Sequence, residues 1–169
     1  NEVIQLGSNR EIFVDHYLID KLAGTQIVMH TPHDEGIVMY FDKPWEGSFS
    51  GYCTIIKDGE RFRAYYRGIP EAGKDGNSKE LTCYAESKDG IHWEKPALNI
   101  HNINGSLANN VILANEAPAT HNFSPFFDTN PDARPDQKYK GFGGTEKSGL
   151  IAFASPDGIH WKRMKEKGV

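Results

Sequence analysis

Two nearly identical stretches decide the architecture expected of this chain: ESKDGIHWEKP at residues 86–96 and ASPDGIHWKRM at residues 154–164. They begin 68 residues apart, and repetition at a fixed period usually marks copied supersecondary units that bury their apolar faces against one another. In each copy, the Ser-x-Asp-Gly part suits a tight turn and the tryptophan can pack between units. We therefore interpret DGIHW as scaffold, including His92 and His160.

The residues before each copy have the pattern of antiparallel strands. In GYCTIIKDGERFRAYYRG (51–68), two β-rich runs flank Asp58-Gly59, which is a strong hairpin signal, and LTCYAES (81–87) continues the meander. No segment has a helical period over eleven or more residues, so the sequence predicts an all-β fold. The remaining predicted strands lie in NNVILAN and, in the second copy, in HNFSPFFD, KYKGFGG and GLIAFAS.

Sheets of about four strands, repeated at this period with an aromatic signature in each, fit the blades of a β-propeller, and a β-sandwich is the alternative. We expect one partial domain, in which residues 1–40 contain a ring-closing strand, 41–115 form a first blade and 116–169 an incomplete second blade. Two blades cannot close a ring, so we expect a piece of a longer chain, whose open face is covered by the remainder of the chain or another copy. Because of this open face, we expect Ile151, Phe153 and Trp161 to be more exposed than Ile55, Tyr66 and Trp93.

Composition excludes several classes of protein. With 169 residues, 38% of them hydrophobic, the chain is long enough for an ordinary core. The net charge of −4 provides no basic footprint for nucleic acid, and no apolar run is long enough for a membrane helix. Cys53 and Cys83 fall on the first and third strands of one sheet, two strand spacings apart, so we expect free thiols.

Several motifs resemble those of a known family. YYRG followed by LTCYAESKDGIHWEKP is similar to the first blade of the five-bladed propeller glycosidases related to invertases and arabinanases. REIFVDHYLID, DKPWEG, NNVILAN and HNFSPF resemble a group of secreted bacterial proteins described as glycosyl-hydrolase-like. The resemblance implies a secreted or periplasmic protein that acts on glycosidic bonds of poly- or oligosaccharides, with carbohydrate as its partner and no cofactor. A non-catalytic carbohydrate-binding or structural propeller is the alternative function.

Topology predicts which end of the sheets holds the binding site. In an antiparallel blade, the turns at Asp58-Gly59 and Asp89-Gly90 lie at one end. The opposite end gathers the start of the first strand, the end of the second and the start of the third, where the connections are longer and the copies differ. In this chain it gathers PWEGSFSGY (44–52), Arg67, the loop GIPEAGKDGNSK (68–79) and THNFSPF (120–126). We expect substrate to bind there.

The candidate residues come from that end. Arg67 corresponds to Gly144 in the second copy, so the scaffold does not require an arginine, and its planar fork suits carboxylates, sulfates or sugar hydroxyls. His121 can act as an acid or base, and Glu46 is the carboxylate nearest the first strand. The structural alternatives are a solvated charge for Arg67, a cap or hairpin role for His121 and Asn122, and core packing for Trp45 and Tyr52. The predicted catalytic residues are Glu46 and His121, and the predicted substrate-binding residues are Trp45, Tyr52, Arg67 and Asn122.

The carboxylate pair of a glycosidase does not map onto this sequence. Glycosidases generally flank the scissile bond with two carboxyl groups, which related propellers carry early on their innermost strands. The corresponding positions here are Ser50-Gly51 and Ser124-Pro125. Either Glu46 and residues after Val169 supply the acids, or the chemistry differs, or the protein binds sugars without cutting them. We expect no metal site, because His30 and His33 flank a proline and no further His or Cys pair supports them.

Overall fold

The computed structural model describes residues 3–168 and divides the chain into two compact units, Asn1–Asp34 and Glu35–Val169. In the first unit, the described residues contain turns but no strand or helix, and most of their apolar side chains are exposed. The segment IFVDHYLID lies in this unit without strand conformation, so its role as a ring-closing strand stays a prediction.

The second unit begins with an antiparallel sheet. Its strands pair in the order β1-β2-β3-β4, and β5 pairs with the part of β3 that β4 leaves open. The hairpin between β1 and β2 turns at Gly59, whose φ of 61° places it in the left-handed region that glycine tolerates. The strand bounds are β1 Gly51–Asp58, β2 Arg61–Gly68, β3 Leu81–Ser87, β4 Trp93–Glu94 and β5 Val111–Leu113.

A second antiparallel sheet repeats this arrangement, with the order β6-β7-β8-β9. Short 3-10 turns at Ala119–His121 and Pro135–Gln137 precede its first two strands. The fold of the described residues is therefore all-β with antiparallel sheets, as predicted. None of their helical turns is long or apolar enough to cross a membrane. The strand bounds are β6 Ser124–Phe127, β7 Tyr139–Thr145, β8 Gly149–Ser155 and β9 Lys162–Arg163.

The repeated DGIHW stretches form the same turn twice. Oδ1 of Asp89 accepts hydrogen bonds from the backbone amides of Ile91 and His92, both at 2.8 Å, and Trp93 Nε1 donates to the Gly90 carbonyl at 2.9 Å. Asp157 and Trp161 make the equivalent bonds in the second copy. The histidine ring of each copy lies 2.7 Å from Oδ2 of its own aspartate. These bonds account for the repeated residues as structural.

The two sheets pack face to face around Trp161. This indole contacts Tyr65 of the first sheet edge-on, with ring centroids 6.2 Å apart, and Phe123 of the second at 4.9 Å. Ile151 and Phe153 join this core and are 5% and 1% exposed. The expectation that they would be more exposed than Ile55 is wrong, since Ile55 is 50% exposed, and they are as buried as Tyr66 to within a few per cent. Trp93 and Trp161 are both partly buried.

The exposed apolar face of the second sheet belongs to the alternate residues. Because successive strand side chains point to opposite faces, burial of Ile151 and Phe153 leaves Leu150 facing outward, beside Phe142 and Phe126. The rings of Phe126 and Phe142 stack with their centroids 6.4 Å apart. The repeat predicts such a face, but Phe126, Phe142 and Leu150 form it in place of Ile151 and Phe153.

The two cysteines are free, as predicted. Cys53 lies on β1 and Cys83 on β3, and β2 runs between these strands. Cys83 is fully buried, and burial raises the pKa of its thiol. A disulfide between the two is excluded by the strand order.

Candidate functional site

Strand alternation brings a group of polar side chains to one face of the first sheet. On β2, Tyr66 points into the core formed with Cys83 and Val111, so the adjacent Arg67 points to the opposite face. The 3-10 turn Ala119–His121 packs against β3 and β7 on that side. Gly143 permits this approach, because a Cβ at that position would lie 2.1 Å from the Ala119 carbonyl oxygen.

Arg67, His121 and Tyr52 form the centre of the site. Nη1 of Arg67 lies 3.0 Å from Nδ1 of His121, and its Nη2 donates to the carbonyl of Phe49 at 2.7 Å. The guanidinium carbon lies 4.7 Å from the centroid of the Tyr52 ring, and the Tyr52 and His121 rings are 5.1 Å apart. The structure therefore brings together three residues that the sequence predicted to be functional.

Tyr52 reaches this position through an irregularity in β1. The pairing of β1 with β2 shifts between Gly51 and Thr54, and Tyr52 has a φ of 49°. Positive φ is uncommon for a bulky side chain, and such conformations cluster at functional sites. Tyr52 is 57% exposed, so part of its side chain is open to solvent beside His121.

Glu80 is a functional candidate that the sequence argument missed. Its side chain is 1% exposed, and Oε1 lies 2.9 Å from His121 Nδ1, 3.2 Å from the Gly76 amide and 3.9 Å from Arg67 Nη1. Oε2 has no hydrogen-bond partner among the described residues. A signal for Glu80 existed, because it ends the long loop at the start of the third strand, at the end of the sheet predicted to bind substrate.

The contacts of His121 define what it can do chemically. If Nδ1 carries a hydrogen, it donates to the Glu80 carboxylate, and Nε2 has a free lone pair on the side of Asp75, whose Oδ2 lies 3.9 Å away. In the other tautomer, Nδ1 accepts a hydrogen bond from Arg67 Nη1 at 3.0 Å, and Nε2 carries the hydrogen. Proton uptake and release at Nε2 is the property of a general acid or base.

His121 opens into a groove of about 860 Å³ between the two sheets' connecting loops, called here the His121 groove. One wall is the tip of the β2–β3 loop, and the other is the β7–β8 connection. Asn122 lies at its edge, where Oδ1 accepts the Gly144 amide at 2.9 Å, so this predicted substrate-binding residue also shapes the loop. The lining comprises Lys74, Asp75, Gly76, Asn77, Pro118, His121, Asn122 and residues 144–148.

Asp75, Glu80 and His121 are also the group among residues 3–168 that could hold a metal ion, since one ligand atom of each lies within 4.8 Å of the others. The Arg67 guanidinium, 3.0 Å from His121 Nδ1, opposes a dication at this point more strongly than the single charge of a protonated imidazole. We therefore interpret the cluster as suited to proton transfer.

The other predicted catalytic residue lies elsewhere. Glu46 is 3% exposed and accepts the Tyr66 hydroxyl at 2.6 Å and Lys95 Nζ at 2.7 Å. Burial, together with the negative groups around it, raises the pKa of Tyr66, so its hydroxyl remains a donor. Because Tyr66 and Arg67 point to opposite faces of β2, Glu46 and His121 lie on opposite faces of the first sheet. The two therefore do not form one active site.

Trp45, predicted to bind substrate, also lies on the Glu46 side. Its Nε1 donates to Oδ1 of Asn110 at 2.8 Å, and its ring is partly buried against the core that contains Tyr66. It does not line the His121 groove.

Comparisons with known proteins are sparse. No protein-family model matches the sequence, and no curated protein does so either. A solved structure from Parabacteroides distasonis ATCC 8503, described as a "putative glycoside hydrolase", is similar to 70% of this chain, with 19% sequence identity and a TM-score of 0.43. The match covers 33% of that protein, so this chain spans about a third of its length.

Proposed function

We propose that this chain is a glycoside hydrolase-like protein that acts on glycosidic bonds of poly- or oligosaccharides in the His121 groove. The observation that carries the proposal is the pairing of His121 with the buried Glu80 carboxylate, beside the open ring of Tyr52. An exposed aromatic ring offers a stacking surface for a sugar. His121 lines the groove, where its Nε2 can donate a proton to a bound sugar.

The proposed reaction is hydrolysis with His121 as the general acid. Its Nε2 proton passes to the glycosidic oxygen as the bond from that oxygen to the anomeric carbon breaks. Water forms the new bond to the anomeric carbon and releases its proton to solvent. Glu80 holds the imidazolium before transfer, and Arg67 orients both His121 and Glu80 through the contacts described above.

Binding without cleavage is the second candidate, and one observation favours it. A glycosidase generally presents two carboxyl groups to the scissile bond, whereas Glu80 is closed off from the groove by its own burial and its contacts. Asp75 is then the carboxylate beside His121 that a sugar can reach. In that case Tyr52, Arg67 and His121 would recognise a sugar rather than act on it.

Release of reducing ends from a panel of plant and bacterial polysaccharides tests the proposal, with His121→Gln as the variant. Loss of a general acid typically lowers the rate by about 10²- to 10⁴-fold. His160→Gln is the matched control, because this histidine lies in the scaffold turn, and its activity should equal that of the wild type. Glycan binding that His121→Gln weakens, without cleavage by the wild type, would support the second candidate. The proposal would be overturned if the wild type neither bound nor cleaved any of these polysaccharides.

We also propose that the two sheets are successive blades of a propeller, in a secreted or periplasmic protein. The proposal is supported by the correspondence between one face of the first sheet and the exposed face of the second. Phe142 and Leu150 occupy in the second sheet the positions that Tyr65 and Thr82 occupy in the first, and the first sheet's face is the one that the second sheet covers. A third sheet stacked in the same way would cover Phe126, Phe142 and Leu150.

A further inference from the structure

A second groove lies on the other side of the β2–β3 loop, with a volume of about 540 Å³, called here the Trp45 groove. We propose that it is a second carbohydrate subsite, and that one oligosaccharide chain spans both grooves across the loop. This inference rests on the proposed function, because it takes the His121 groove to bind carbohydrate. It adds the requirement for a substrate several sugar units long. The lining includes Trp45, Pro70, Ser78, Leu81, Asn102 and Asn104.

The loop itself, residues 69–80, connects the two grooves. Its tip at Lys74–Asn77 lines the His121 groove, whereas Pro70, Glu71, Ser78 and Lys79 line the Trp45 groove. A chain that spans both grooves therefore crosses this loop.

Internal bonds and contacts hold the loop in place. Asn77 Nδ2 donates to the Lys74 carbonyl at 2.8 Å, and Oδ1 of Asn77 accepts the Lys79 amide at 2.8 Å. At the tip, a Cβ on Gly76 would lie 2.7 Å from Cβ of Pro118, so the backbone packs closely on the second copy. At the base, Lys79 pairs with Glu71 at 2.5 Å. A loop fixed at both ends is a stable wall between two subsites.

The Trp45 indole is preorganised for stacking. Its Nε1 is held by Asn110 Oδ1, and Asn110 Nδ2 donates in turn to the Tyr66 hydroxyl at 2.8 Å and the Tyr84 carbonyl at 2.6 Å. Asn110 is 1% exposed, so this network anchors the ring from within the core. Binding to a ring that is already immobilised loses less conformational entropy.

The rest of the lining suits a neutral sugar. Ser78, Asn102 and Asn104 are exposed and bring a hydroxyl and two amides, which both donate and accept hydrogen bonds. The charges of Glu71 and Lys79 are paired with each other, so the groove offers no unbalanced charge to an ionic ligand. An aromatic surface with a few polar groups around it is the usual composition of a small-molecule site.

A ladder of neutral oligosaccharides, two to eight units long, tests this subsite. The ladders are prepared from cellulose, xylan, arabinan and levan, and binding and cleavage are measured for each length. Wild-type affinity or kcat/KM should rise with length once the chain reaches the Trp45 groove, by about five- to tenfold for a stacked aromatic contact. Ser78→Arg, which places a bulky side chain in the groove, should abolish this gain and leave the shortest active oligosaccharide unaffected.

Thr129→Arg is the control, because Thr129 is exposed on the β6–β7 loop and lines neither groove. Trp45→Phe is the second variant, since it keeps a ring in place and should retain part of the gain. A length dependence that Ser78→Arg leaves intact, or no length dependence in an active wild type, would overturn the second subsite alone. If the wild type neither binds nor cleaves any oligosaccharide, the proposed function fails, and the subsite fails with it.

Discussion

Oε1 of the buried Glu80 side chain lies 2.9 Å from Nδ1 of His121. One residue comes from the start of β3 in the first sheet, and the other from the 3-10 turn that precedes β6 in the second. Because the carboxylate is 1% exposed, water does not screen its interaction with the imidazole. The packing of the two sheets thus creates a carboxylate–imidazole pair that neither sheet contains alone.

Replacing Glu80 by Gln should lower activity by about 10- to 100-fold while preserving the shape of the side chain. The amide lacks the negative charge that stabilises the imidazolium, and one charge-assisted hydrogen bond contributes about 1.5–3 kcal/mol. The measurement is kcat/KM on a polysaccharide that the wild type cleaves. Glu60→Gln, on the exposed β1–β2 turn, is the control. An unchanged kcat/KM in a folded Glu80→Gln variant would show that Glu80 takes no part in the reaction.

The sequence predicted the parts of the site that follow from strand order. Arg67, Tyr52 and His121 were placed at one end of the sheets by counting turns, and the structure brings them into contact. Glu80 sits at that same end, but nothing in its neighbourhood separates it from the other loop carboxylates until the packing of the second sheet buries it. Its burial comes from tertiary contacts, which a strand pattern does not contain.

Trp45 and Glu46 could not be assigned to a face from the sequence. They precede β1 in a loop, where side chains do not alternate between two faces as they do along a strand. The face of the sheet on which they pack depends on how that loop crosses β2. Close packing decides it: a Cβ on Gly68 would lie 2.9 Å from the Trp45 carbonyl oxygen. A strand pattern also does not show which face of β8 packs against the first sheet. Ile151 and Phe153 were therefore expected to be exposed, whereas Leu150 and Phe142 are the exposed residues.

The two copies of the DGIHW turn permit a matched test of packing between the sheets. Gly90 and Gly158 have φ values of 80° and 77°, so alanine at either position should destabilise the protein by about 1–2 kcal/mol through backbone strain. A Cβ at Gly158 would also lie 2.6 Å from the buried Tyr65 hydroxyl, whereas at Gly90 the nearest atom is 3.9 Å away.

Gly158→Ala should therefore unfold at a lower denaturant concentration than Gly90→Ala. Overpacking should lower its free energy of unfolding by about a further 1–3 kcal/mol. Chemical denaturation of the two variants measures the difference. Equal stabilities would mean that the sheets do not pack at Tyr65 as described.

A hydrogen bond between the sheets supplies a second stability prediction. The Tyr139 hydroxyl donates to Oδ2 of Asp58 at 2.5 Å, and Arg63 pairs with the same oxygen at 2.9 Å. Burial, with the Asp58 carboxylate, raises the pKa of Tyr139 to about 12, so the hydroxyl remains a donor at neutral pH. Tyr139→Phe should cost about 1 kcal/mol, measured by thermal unfolding. Tyr40→Phe, at a 65% exposed side chain, should have no effect, and equal midpoints for both variants would contradict the bond.

Acid should weaken the second scaffold turn over a defined range. Partial burial alone would raise the pKa of Asp157, but hydrogen bonds from the His160 amide, the His160 ring and the Ile159 amide lower it to about 2. The ordinary value is 3.8. The native state thus holds the proton less tightly than the unfolded chain, so the stabilisation is complete above about pH 4 and is lost as the pH falls to about 2.

Asp157→Asn removes this titration. The free energy of unfolding of the variant should fall less steeply between pH 4 and pH 2 than that of the wild type, measured by denaturant unfolding at each pH. Parallel curves would show that Asp157 titrates at the same pH in both states.

A crystal structure of His121→Gln with a bound oligosaccharide, taken from a polysaccharide that the wild type cleaves, tests the central claim most directly. The account predicts one sugar ring against Tyr52, with its glycosidic oxygen at hydrogen-bonding distance from residue 121. Occupancy confined to the opposite end of the first sheet, in the cavity of about 260 Å³ beside Arg61 and His92, would contradict it.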